Sequence, residues 1–332
     1  SPASTEPSLL ERRYQGERPL RTLLTLYRPE RRRLILAAVF FVIKHSPVWM
    51  LPALTANIID IISTPGSDVS GLWFNALVLV LLLVQNVPLH TLYARYLSQA
   101  VRATETRLRA AICRRLQHLS ISFYTRQSAA SLQTKVLRDV ENIEQLTRTF
   151  YDSGLAAASN IVFALIITGL RVPWFILFYL LAVPPAVLLI RALRQTLADR
   201  NRVFRQELET LSTRVEEMTH LIPITRAHGL EEDALARVNE SLDRVRERGS
   251  QLDSVNAVFG ALSWMTFNLF NVMCLVVAAW IYWTQIIPLT LGEVVMLTSY
   301  FSTLTNSVMS LANMTPQISK GLESIRSIGE VL

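Results

Sequence analysis

Lys44 and His45 sit inside a long apolar run, where a charge is costly and marks either a ligand pathway or an internal partner. Two readings stand for Lys44. It faces a pathway and attracts an anionic or amphipathic ligand, or it snorkels to the headgroups or pairs with another helix. The last apolar run is rich in small polar groups: Ser299, Ser302, Thr303, Thr305, Asn306, Ser307, Ser310 and Asn313. One face of that helix lines a hydrated cavity, or these groups cement helix pairs, as Ser, Thr and Asn do in bilayers. Asn86, Asn268 and Asn271 present the same alternatives. The candidate pathway residues are therefore Lys44, His45, Asn86, Asn268, Asn271, Ser299, Ser302, Thr303, Asn306 and Ser310. Bond-breaking chemistry has less support. No cluster of His, Cys, Asp or Glu has metal-ligand spacing. Cys113 and Cys274 are far apart in sequence, and no disulfide is expected. No Gly starts the G-x-x-x-x-G-K-[ST] run whose backbone N–H groups cradle phosphates.

The elements that must position these residues are apolar spans. Six stretches are long enough to cross a bilayer, over 34–62, 72–92, 153–170, 172–190, 257–283 and 286–311. The 51% hydrophobic composition and mean hydropathy of +0.30 agree. LVLVLLLV (77–84) and CLVVAAWIYW (274–283) have no polar face to offer water. A secretory leader is not indicated, because the first apolar run is too long for one and lacks a cleavage pattern.

Charge sets the expected orientation. Of the 33 Lys and Arg, eight precede the first span, ten lie in 93–152, eleven lie in 191–254 and two follow the last span. Only Arg171 falls on the other side. By the positive-inside rule both termini and both long charged segments face the cytoplasm. The net charge of +7 thus reflects topology. It is no nucleic-acid footprint, since the basic residues are interleaved with acids.

The segments 93–152 and 191–254 continue as helix. Leu108, Ile112, Leu116 and Leu119 recur at helical spacing, as do Phe204, Leu208, Leu211, Val215 and Met218, and Leu235, Val238, Leu242 and Val245. Helices that cross a bilayer and run on far into water act as stalks. The first stalk pair is expected to turn near 122–131, where the apolar stripe breaks. The second is expected to turn over 219–229, which holds Pro223 and Gly229. Pro47, Pro52, Pro88, Pro184 and Pro185 lie within spans and bend or shape the bundle, with the Pro184–Pro185 pair the best hinge candidate.

Four segments carry a family resemblance. HLSISFYTRQSAASLQTKVLRDVENIEQL (118–146) matches at Leu119, Ser120, Phe123, Tyr124, Lys135, Asp139, Val140 and Ile143. EEMTHLIPITRAHGLEE (216–232) matches at Glu217, Ile224, Arg226 and Glu231. LTLGEVVMLTSYFSTL (289–304) matches at Thr290, Gly292 and Tyr300, and GLESIRSIGEVL (321–332) at Ser324, Arg326 and Glu330. In this order on six spans, the chain resembles the transmembrane domain of a six-helix, domain-swapped ABC exporter of the multidrug or lipid-flippase kind. Ala130 and Leu221 depart from the pattern, since the family usually has Gly at both turns.

The resemblance implies an all-α membrane protein, with a flexible segment over 1–19 and the transmembrane domain over 20–332. It implies a second copy or a homologue as partner, and a nucleotide-binding domain that would follow Leu332 or come from a separate chain. ATP and Mg are expected on that domain and no cofactor on this chain. The implied coupling helices are Ser128, Ala130, Ser131, Leu132, Thr134, Lys135, Arg138 and Asp139 in the first turn. In the second they are Glu217, His220, Leu221, Ile222, Pro223, Ile224, Thr225 and Arg226. We expect an integral protein of the bacterial inner membrane that exports an amphipathic or hydrophobic small molecule, lipid or peptide by alternating access. An importer on the same fold stays open. A receptor or scaffold with helical stalks fits less well, because the connections on the far side are too short for a ligand domain.

Overall fold

The computed structural model describes residues 19–118, 132, 133 and 135–329. Every regular element among them is helical. A short amphipathic helix, α1 (Pro19–Leu26), leads through a 3-10 turn into α2 (Arg31–Lys44) and α3 (Ser46–Ser63), followed by α4 (Val69–Gln117). A π turn (Lys135–Asp139), α5 (Val140–Thr149), a second π turn (Phe150–Gly154) and α6 (Leu155–Arg171) form one continuous helical run. The order is completed by α7 (Phe175–His228), α8 (Glu231–Thr284), α9 (Leu291–Asn313) and α10 (Thr315–Gly329). The first turn expected over 122–131 lies outside the described residues.

Four helical runs, Arg28–Ser63, Val69–Gln117, Lys135–Arg171 and Glu231–Thr284, are long and apolar enough to cross a bilayer. Phe175–Ala186 adds a shorter apolar stretch. α4 has 49 residues and α7 and α8 have 54 each. At 1.5 Å per residue these are rods of about 74 and 81 Å, against a hydrocarbon core of about 30 Å. Much of each rod therefore lies beyond the bilayer.

Three boundaries differ from the sequence reading. Gln285 takes a φ of 51° and the chain stays irregular to Thr290, so the last long helix starts at Leu291 and not at Ile286. Thr290 Oγ1 accepts from the Glu293 N–H and the Glu293 carboxylate accepts from the Thr290 N–H, a capping box at the helix start. The fourth apolar stretch starts as helix only at Phe175, after a turn over 172–174. The turn expected over 219–229 is confined to Gly229 and Leu230. Pro223 removes one hydrogen bond without ending α7, whereas Gly229 adopts a left-handed φ of 67°. The Leu230 N–H then donates to the Thr225 carbonyl at 2.9 Å, closing a Schellman motif. Likewise, α7 runs unbroken through Pro184 and Pro185.

The break between α2 and α3 at His45 has a clear cause. Pro47 has no N–H to give the Ile43 carbonyl, and the Lys44 carbonyl is also left without a helical donor. Asn86 of α4 donates to the Lys44 carbonyl at 2.7 Å, and Gln85 donates to Ser46 Oγ at 2.6 Å. One turn of α4 thus stitches the interrupted helix.

The chain folds as two compact units, Ser1–Ile176 with Val277–Leu332, and Leu177–Val276. In the first, α2 packs along α4, α3 lies between α4 and α9, α9 contacts α6, and α10 packs on α5. Its core joins Leu26 and Tyr27 to Phe41, Tyr93, Leu97, Val101, Leu108, Ile112, Val140, Ile143, Ile325 and Ile328. α9 comes close to α3 at Gly292. A Cβ there would lie 2.1 Å from the Ala56 carbonyl oxygen, so α9 rests on the backbone of α3. The second unit is a helical hairpin of α7 and α8. Phe204 packs over Gly249, and Arg244 reaches Glu207 at 3.6 Å.

Candidate functional site

Lys135 and Asp139 are one helical turn apart, and both grip α10. Lys135, only 7% exposed, donates to the Ser327 carbonyl at 2.8 Å and to its hydroxyl at 3.2 Å. Asp139 accepts from Ser324 Oγ at 3.0 Å and from Ser327 Oγ at 2.7 Å. Asn142 adds a 2.9 Å bond to Ser324 Oγ. Charge-assisted bonds of this kind are roughly twice as strong as neutral ones. The tie locks the segment before α5 to the end of α10. Two motif segments about 185 residues apart in sequence thus meet side by side. Leu132 is buried beside this tie in sequence, and Arg138 is exposed. Ser128, Ala130, Ser131 and Thr134 lie outside the described residues.

A charged cluster flanks the tie. Arg102 of α4 reaches Glu105 at 2.7 Å and Glu144 of α5 at 3.0 Å. Arg109 pairs with Glu105 and Arg148 with Glu144, each at 2.9 Å. The Glu105 hydrogen bond holds the Arg102 guanidinium above its usual range. Three guanidinium groups alternate with two carboxylates, and the resulting chain of ion pairs joins α4 to α5.

At membrane depth, Lys44 and His45 mark the helix break. The Lys44 ammonium lies 4.5 Å from the Phe41 ring centroid and 4.8 Å from that of Tyr93, within cation–π range. The Tyr93 hydroxyl donates to Asp152, which in turn acts electrostatically on Lys44. His45 stacks on Phe41, and its Nε2 donates to Asn160 Oδ1 at 3.0 Å. Asn160 lines a cleft of about 320 Å³ with Val48, Ser153, Thr303, Asn306, Ser307 and Ser310. Lys44 is not part of that lining.

The remaining candidates divide by their partners. Thr303, Asn306 and Ser310 meet at the cleft. Ser299 donates to the Val295 carbonyl of its own helix, and Ser302 is half-buried on α9. Asn86 is committed to the Lys44 carbonyl. Asn268 donates to the Trp264 carbonyl of its own helix, and Asn271 is half-buried on α8.

At the short-loop end, Asp60 of α3 accepts from Thr290 Oγ1 and from the Gly292 N–H, each at 2.7 Å. A carboxylate at a helix N-terminus is favourable for both the free N–H groups and the dipole. Arg171 donates to Asn57 at 2.6 Å. Tyr300, fully buried, donates to the Trp49 carbonyl at 2.7 Å.

In the second unit, Glu217, His220, Leu221, Ile222, Pro223, Ile224, Thr225 and Arg226 form the final turns of α7. No separate short helix is present there. Leu221, Ile222 and Ile224 are 39%, 43% and 55% exposed. Glu217, Leu221, Ile224 and Thr225 share a shallow cleft of about 200 Å³ with Leu230 and Val238 of the hairpin.

Asp60, Asp152, Asn160 and Ser327 do not stand out in the sequence as site residues, and Ser307 does so only as one member of the polar face of the last span. Asp60 and Asp152 carried a signal, as acids at the ends of apolar spans. The other three are ordinary small polar residues whose role depends on helix rotation.

The ABC transporter transmembrane region matches residues 34–308 of this chain. The multidrug resistance-like ATP-binding protein MdlA of Buchnera aphidicola subsp. Schizaphis graminum (strain Sg) is 21% identical over 254 residues, covering 75% of this chain and 42% of that protein. The chain thus spans less than half the length of this relative. A bundle of apolar helices with long polar extensions, matched over most of its length, places this chain in the ABC transporter transmembrane region family.

Proposed function

We propose that this chain is the permease part of an ATP-driven exporter, working as a pair with a second such domain and with nucleotide-binding domains that carry ATP and Mg. The observation that carries this reading is the end of α7. Leu221, Ile222 and Ile224 stand exposed at the tip of a helix of 54 residues. Apolar side chains held well clear of lipid and open to water fit a docking surface for a motor domain. In this reading the charged extensions are cytoplasmic and the membrane is the bacterial inner membrane. Closure of the motors on ATP pushes both tips. The rods α4, α7 and α8 transmit the push, and the tie of Lys135 and Asp139 to α10 carries it to α9. The pathway through the bilayer then opens alternately to either side, a two-state packing biased by nucleotide. The cleft beside His45, Thr303, Asn306 and Ser310 lies on that pathway, with Lys44 at its cytoplasmic edge. The multidrug resistance-like name of the MdlA relative supports a small-molecule cargo in this reading.

The test is Ile224→Asp in the full-length protein, reconstituted in vesicles. A charge at the tip should leave ATP turnover in place and lower transport per ATP at least tenfold. Unchanged coupling would show that the tip receives no force.

A further inference from the structure

The cleft between α3, the start of α6 and α9 combines an apolar wall of Val48, Ala156 and Ala157 with a set of uncharged polar side chains. Ser153, Asn160, Thr303, Asn306, Ser307 and Ser310 offer hydroxyls and amides, and no lining residue is ionisable. Several of these groups have no partner. Ser307 is 4% exposed, lines the cleft and makes no side-chain hydrogen bond among the described residues. The same holds for the side chains of Ser153, Asn306 and Ser310. Polar groups that cement helix pairs do so by bonding across them, and these four do not. Ser307 is the one buried member of the four, with Ser153 and Ser310 half-buried and Asn306 exposed at the mouth; a hydroxyl held at that depth without a protein partner favours a ligand that supplies one. Asn160 is half committed: its Oδ1 accepts from His45, which leaves the NH₂ free to donate.

Charge narrows the ligand class. The nearby charges are Lys44 and Asp152, which are of opposite sign, and neither lines the cleft. An ionic ligand therefore finds no fixed counter-charge in the lining, and an unmatched charge at membrane depth is strongly disfavoured. The volume of about 320 Å³ lies at the low end of small-molecule pockets, about 300–1,000 Å³.

We infer that this cleft binds an uncharged ligand segment bearing both hydrogen-bond donors and acceptors, of the kind a short peptide backbone presents. The inference rests on the permease reading, in that the ligand is its cargo, but binding tests it separately. Asn306 supplies an amide that pairs with a peptide unit in both directions. Ser307, Ser310 and the Asn160 NH₂ complete the set.

The probe is tritiated N-acetyl-trialanine amide, measured by equilibrium dialysis against the full-length protein in nanodiscs. Saturable binding is expected, weakened about tenfold by Asn306→Ala and severalfold by Ser307→Ala, as loss of one hydrogen bond predicts. The analogue with a free, positively charged amino terminus should bind the native protein more weakly than the neutral peptide. Asn306→Asp should reverse that order. Because a reversal requires a folded site, it holds even where an alanine variant folds poorly. Absence of saturable binding, equal binding by Asn306→Ala and Ser307→Ala, or preference of the native protein for the cation would overturn the inference. ATP turnover in the same preparation reports on the permease reading, so turnover without peptide binding removes the ligand class alone.

Discussion

Replacing Asp139 with Ala should release α10 from the segment before α5. The carboxylate accepts two bonds, from Ser324 at 3.0 Å and Ser327 at 2.7 Å. A hydrogen bond to a charged group contributes about 1.5–3 kcal/mol. Asp139 is only half-buried, so the lower figure applies to each, about 3 kcal/mol for the pair. At 1.4 kcal/mol per factor of ten, local opening of α10 becomes about a hundred times more frequent. Asn142 and Lys135 still hold Ser324 and Ser327, so the helix loosens without leaving. Hydrogen exchange followed by mass spectrometry reads this directly. Amides of α10 should exchange about a hundredfold faster, while those over 231–276 in the other unit should not change. Exchange in α10 altered less than threefold would refute the assignment of the tie. Equal acceleration in both units would refute its local character.

Four further outcomes follow from the packing. Gly292→Ala must push α9 off the Ala56 carbonyl, and overpacking of this kind costs about 1–3 kcal/mol; thermal unfolding in detergent should show a clear drop in Tm. Gly260→Ala, which meets nothing within 4 Å on α8, should be neutral or stabilising by up to about 1 kcal/mol in the same assay. Asn86→Leu leaves the Lys44 carbonyl unpaired at membrane depth and should cost about 1–3 kcal/mol. Arg102→Ala should leave Tm in the same assay essentially unchanged, because its side chain is 59% exposed and surface ion pairs are screened.

Periodicity exposed the helices, and their lengths needed little else. Leu108 and Ile112 of the first stripe are fully buried and Leu116 is half-buried, as a helix face packed on neighbours must be. The stripes on α7 and α8 are less covered: Val238 is buried, whereas Leu208, Val215, Leu235 and Leu242 are exposed. Several residues of the family pattern lie together in space. Lys135, Asp139 and Ser324 meet in one tie, and Thr290 and Gly292 sit against Asp60. Two features are legible only in part. Of the two turn residues at the α7 tip, a helix tolerates the bond lost at Pro223, and the left-handed Gly229 makes the turn. Thr303, Asn306, Ser307 and Ser310 mark one wall of the cleft, but its other walls depend on the mutual rotation of three helices. One sequence fixes which residues share a helix face but not which neighbour that face meets, so Ser307 and Asn160 read like any small polar residue of a membrane helix.

The most direct test of a motor-driven permease is a cross-link at the α7 tip. Ile224→Cys, placed in the full-length protein with Cys113 replaced by Ser, is treated with a short bifunctional thiol reagent after single cysteines are scanned across the nucleotide-binding domain. The account predicts a cross-link to that domain which forms in the resting protein, shifts in yield on ATP binding and stops ATP-driven transport once closed. A tip cysteine that labels freely with water-soluble reagents, joins no nucleotide-binding domain and leaves transport intact would contradict it.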